Sequence, residues 1–84
     1  MFIVDGFQNA SFEFGEKKLV GRNYYIKEEL KNGSGFRFAT VFINSSFEAN
    51  YPEIGDNLVI GYRKNTNYLC IVFNVSKDAI VLLK

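Results

Sequence analysis

Six of the ten basic residues, Lys17, Lys18, Arg22, Lys27, Lys31 and Arg37, fall between positions 17 and 37, interleaved with Tyr24, Tyr25 and Phe36. Lys and Arg attract phosphates whatever the base sequence, and flat rings stack on unpaired bases at about 1 to 3 kcal/mol each. Together the two residue types describe a surface for single-stranded nucleic acid. Only Glu28 and Glu29 oppose the six bases, so this segment carries +4, whereas residues 1 to 16 carry −3 and residues 38 to 62 also carry −3. The formal net charge of +1 conceals a polarised chain. A plainer reading fits the same composition: Lys and Arg solvate an exposed hairpin whose Tyr rings pack on the core.

Spacing sharpens the choice. In a strand, Arg22, Tyr24 and Ile26 share one face at about 7 Å intervals, which would set a phosphate contact, an aromatic platform and an apolar rim in a row. Alternatively, Tyr24 and Ile26 cover the core and Arg22 snorkels at its edge. Phe36 and Phe38 flank Arg37, whose side chain takes the opposite face. Phe36, nearer the turn, is the stacking candidate, and one of the two rings is expected in the core. Arg63 and Lys64 open a second basic hairpin and offer phosphate contacts, with Tyr68 at its far side. Lys17 and Lys18 follow a turn, where lysine discourages strand addition, and Lys18 adds a contact. Tyr25, Phe2, Phe7, Phe12, Phe14, Phe42 and Phe73 are assigned mainly to the core.

Catalysis finds little support. The chain has no His, no Ser-His or Cys-His pair, and no glycine-rich loop leading into a helix. Glu28 and Glu29, as neighbours in a strand, point to opposite faces and cannot converge on one substrate. Cys70 is the single cysteine, so no internal disulfide or cysteine-rich zinc site is expected, and a reducing cytoplasm fits. No cofactor is implied. No apolar run approaches 18 residues and no basic leader precedes Met1-Phe2-Ile3-Val4, so neither secretion nor a membrane span is expected.

The elements that must hold these residues are strands. Period-2 alternation dominates, no helical stripe is sustained, and 84 residues suffice for one domain, here 1–84. Phe2 to Phe7 opens the first strand, Asp5-Gly6 bends it, and Ser11 to Phe14 continues it to a turn at Gly15-Glu16. Lys18 to Leu30 would run about 40 Å as a projecting ribbon, with Gly21 as a bulge point. Lys31 to Gly35, with its Asn-Gly pair, is a hairpin turn. The returning strand, Phe36 to Ile43, is apolar on both faces. Asn44 to Asp56 suits a short helix or long loop, and strands follow at Leu58 to Arg63, Tyr68 to Val75 and Ala79 to Leu83. The expectation is an all-β, five-stranded OB-type Greek-key barrel with a protruding β-ribbon. A small sandwich or SH3-like barrel shares the same pattern.

With these pieces in place, the segment Gly21-Arg22-Asn23-Tyr24-Tyr25-Ile26-Lys27-Glu28-Glu29-Leu30 resembles the ribbon of the gene V class of single-stranded DNA-binding, helix-destabilising proteins from filamentous bacteriophages. The total length and the later order of hairpin, strand and short apolar terminal strand are similar too. The resemblance implies an OB-type fold, a two-fold homodimer, and cooperative coating of single-stranded DNA during phage DNA replication in the host cytoplasm. Carried over, Arg22 matches a ribbon residue contacting phosphate, Tyr24 one meeting the strand, and Ile26 follows on that face. Phe36 falls near a stacking aromatic. Residues 62–70 correspond to a dyad loop, with Tyr68 near its aromatic. The low net charge, the missing Phe-Gly pair in that loop and the extra ring of Tyr25 depart from the family pattern. Two further functions fit the residues alone: a protein-interaction or oligomerisation module built on Phe36 to Ile43, and an RNA-binding OB domain.

Overall fold

The computed structural model describes residues 1–62, 64 and 69–83. They form a single antiparallel sheet of β1 (Phe2–Phe14), β2 (Lys17–Glu29), β3 (Phe36–Asn44), β4 (Asn57–Tyr62), β5 (Leu69–Asn74) and β6 (Ala79–Leu83), with one 3₁₀ helix at Ser45–Asn50. The order across the sheet is β3-β2-β1-β4-β5-β6. The six strands correspond to the six strand segments read from the sequence, one more than the expected five-stranded barrel would hold, and the last pairs with β5 through Ile71–Leu83 and Asn74–Ala79. Among the described residues the sheet does not close on itself. No helix among them is long and apolar enough to cross a membrane.

Alternation decides which face is inside. Cross-strand pairing puts Val4 beside Ile26 and Phe7 beside Tyr24, and on the other side of β2 sets Tyr24 beside Val41 and Arg22 beside Ile43. Val4, Tyr24, Ile26, Val41 and Ile43 are therefore the inner face of this half, and they meet Leu58, Val72 and Val81 from the other half in one core. Phe47, Tyr51 and Pro52, from the 3₁₀ segment and the chain just after it, cover the core. Asn50 donates to the Ile80 carbonyl at 3.2 Å, tying that segment to β6. The connection expected to tolerate a short helix does hold one, begun by the Asn44 side chain accepting from the Ser46 N–H.

The β1–β2 hairpin is longer than its neighbours. β2 pairs with β3 only as far as Gly21, so residues 10 to 20 continue as a two-stranded arm, and the molecule reaches 46 Å along its longest axis. Gly15 turns the arm at φ +60°. The bulge lies elsewhere than expected: register shifts between Val4 and Gly6 and stays regular through Gly21. Gly21 is small for a different reason. A Cβ there would strike the Ile43 carbonyl oxygen, so glycine permits the close approach of β2 and β3.

Candidate nucleic-acid interface

The inner-face row of Arg22, Tyr24 and Ile26 has its work inside the protein. Tyr24 is 0% and Ile26 1% exposed. Tyr24 packs against Phe7 at 5.4 Å and Tyr51 at 6.1 Å between ring centroids, and its hydroxyl donates to the Pro52 carbonyl at 3.0 Å. Burial raises the Tyr24 phenol above its ordinary range, against the lowering pull of Arg22, which keeps it a neutral donor. The Arg22 guanidinium lies 4.2 Å from the Phe7 ring centre and 4.5 Å from that of Tyr51, and donates to the Tyr24 hydroxyl at 3.2 Å. It is held by cation–π contacts at the root of the arm. Tyr24 and Ile26 present no face to a ligand, which corrects the expected surface row. The plainer reading, with Tyr24 and Ile26 over the core and Arg22 at its edge, describes the inner face.

The outer face is where rings lie open. β3 sends Phe36, Phe38, Thr40 and Phe42 outward, opposite Glu29, Lys27, Tyr25 and Asn23 of β2. Phe36 is 51% exposed and Phe38 71%, with ring centroids 6.4 Å apart. The Lys27 ammonium sits 5.3 Å from the Phe36 ring centre. Tyr25, also exposed, donates its hydroxyl to Gln8 Oε1 at 2.7 Å, which fixes its tilt. Farther along, Phe12 meets Phe42 edge-on at 5.2 Å, and Phe14 and Leu19 stand exposed on the arm.

β3 is an outermost strand. Its Arg37, 66% exposed, contacts Glu28 at 3.5 Å from the inner side, and Lys31 is exposed in the adjoining turn. Lys27 pairs with Asp5 at 3.2 Å. Exposed pairs of this kind contribute about 0 to 1 kcal/mol, so these cations can exchange partners readily.

The structure thus divides the expected set. Phe36 is open as expected, and Arg37 stands at the same edge. Lys18 is exposed on the arm, but on the face shared with Arg22, opposite Phe36. Lys64 is exposed. Arg63 and Tyr68, with most of the hairpin at 62–70, lie outside the described residues. Phe38 and Tyr25 were missed as candidates, although period 2 already set Phe38 on the same face as Phe36. Phe12 and Phe14, assigned to the core, are exposed on the arm, which extends past the edge of β3, and Phe7, also assigned there, lies on the inner face against Tyr24 and Arg22 but stays 39% exposed. Compared with family models, curated proteins and solved structures, the chain matches none.

Proposed function

We propose that the protein binds single-stranded DNA without strong dependence on sequence, laying bases over the outward rings of β3 and β2 while phosphates follow the β3 edge. The observation that carries this reading is the open pair Phe36 and Phe38, 6.4 Å apart on an edge strand, with the Lys27 ammonium against one ring. Two exposed large rings cost the free protein solvation, and unstacked bases are the planar apolar partners that relieve it. Lys31 and Arg37 beside them attract the backbone. Arg22 acts as a structural clamp in this scheme.

The strand order supports an oligonucleotide-binding fold. Three hairpin-linked strands, β1 to β3, are followed by β4 returning through a long connection to lie beside β1, an order that supports a Greek-key reading. The 3₁₀ helix caps the inner side where a partly open OB barrel would leave its end. Coating of DNA during phage replication, by a homodimer, is the setting that the resemblance to the gene V class adds to this reading.

The test is fluorescence anisotropy of labelled oligo(dT) at rising salt. Affinity should fall steeply with salt, and absent or salt-independent binding overturns the proposal. A second reading has its own observation: Phe12, Phe14, Leu19 and Val20 make the arm apolar and exposed. An oligomerisation module would sediment as an assembly indifferent to DNA.

A further inference from the structure

The register shift between Val4 and Gly6 leaves Asp5 as an extra residue in β1. A bulge re-aims the side chain it carries, and here it brings a carboxylate to the outer face, against Lys27. A negative group on a surface that must attract a polyanion weakens phosphate binding, so its position asks for a reason. Asp5 borders an open pocket of about 340 Å³ whose other lining includes Tyr25, Phe38, Ala39 and Thr40. Tyr25 and Thr40 are direct cross-strand partners, and Phe38 stands two pairs along, opposite Lys27 and next on the same face. Two rings, a threonine and a carboxylate thus line one open pocket on the outer face. Lys27 engages Oδ1 of Asp5, and Oδ2 has no ion-pair partner among the described residues.

We infer that this pocket is a subsite for an amino-bearing base of the bound strand, favouring cytosine over thymine, with the Asp5 carboxylate as hydrogen-bond acceptor. The inference rests on the single-strand reading above and adds a local preference to it. The chemistry follows from the base edges. Cytosine presents its N4 amino group as a donor to a carboxylate, whereas thymine presents the O4 acceptor at the same place and is repelled. Both pyrimidines stack on rings of this size, so stacking alone does not separate them. Lys27 holds the carboxylate in position and offsets its charge.

The experiment measures binding of the full chain to oligo(dC) and oligo(dT) of equal length at one salt concentration, for the native protein and for Asp5→Ala and Asp5→Asn. The native protein should bind oligo(dC) about tenfold tighter, the effect of one charge-assisted hydrogen bond. Asp5→Ala frees Lys27 for phosphate, so both affinities should rise while their ratio collapses toward one. Asp5→Asn, whose amide both donates and accepts, should also lose the preference. Asp5 is exposed, and unchanged melting temperatures would confirm that folding is intact. Equal native binding to both oligomers overturns the inference and leaves the single-strand reading standing. A preference that survives in Asp5→Ala also overturns it, by placing selectivity elsewhere. Binding to neither oligomer overturns both.

Discussion

Tyr24 on β2 and Phe38 on the neighbouring β3 show how differently two rings of adjacent strands can behave. Tyr24 is sealed under Tyr51 and Pro52 and makes two hydrogen bonds through its hydroxyl. We expect Tyr24→Phe to lower stability by about 1 to 3 kcal/mol in denaturant titration, because the Pro52 carbonyl loses its donor, while affinity for DNA changes little. Phe38→Ala should do the reverse. It removes an exposed ring, so stability should stay within about 0.5 kcal/mol, and one lost stack should weaken oligonucleotide binding roughly fivefold to hundredfold by anisotropy. The sequence made the pairing of faces legible: period 2 set Tyr24 with Ile26 and Phe36 with Phe38. It did not say which face is inside, because β2 and β3 carry large apolar residues on both. That choice follows from Tyr51 and Pro52, which the chain brings over one face from 28 residues beyond Tyr24. No local pattern encodes such a distant cover.

Among the elements, the close pairing of β2 with β3 depends on the missing side chain of Gly21. Gly21→Ala would force a methyl group against the Ile43 carbonyl, separating β2 from β3, and we expect a loss of about 1 to 3 kcal/mol read as a lower melting temperature. The loop entering β4 depends on charge. Asp56 accepts from the Glu53 N–H at 2.9 Å and the Asn74 amide at 2.8 Å, with the Lys77 ammonium 3.6 Å away. Burial works to raise its carboxyl, but these partners outweigh burial and hold it below the ordinary value. A carboxyl with a lowered folded pKa stabilises fully above the unfolded value of about 3.9, and that contribution disappears as pH falls through the folded value. Thermal melts should therefore show a stability loss below about pH 4 that Asp56→Asn reduces, while the variant melts lower near neutrality. The turns were readable from Gly15, Asn32-Gly33 and the polar stretch at 44–56, and so were five of the six strand spans to within a residue or two. The Asp5 bulge was visible only as a bend at Asp5-Gly6, since glycine marks a site of freedom without saying whether register changes there.

For the molecule as a whole, the charge polarity seen along the chain is split between faces: Lys18, Arg22 and Arg37 project to the side opposite Phe36, Arg37 from the outermost strand, and Lys27 lies with the open rings. Proximity in sequence could not reveal this, because alternate residues of one strand diverge to opposite sides. Two phosphate contacts, from Lys31 and Arg37, correspond to a slope of about −1.4 in log affinity against log salt for a single strand. Arg37→Ala should reduce that slope, whereas Arg22→Ala, which removes a guanidinium stacked on Phe7 and Tyr51, should lower stability and leave the slope intact. The most direct test of outward rings as the base platform is the affinity of the Phe36→Ala/Phe38→Ala double variant for labelled oligo(dT) at low salt, beside its melting temperature. Loss of most binding with an unchanged melt is the expected result. Native-like affinity in a folded double variant would contradict the proposal.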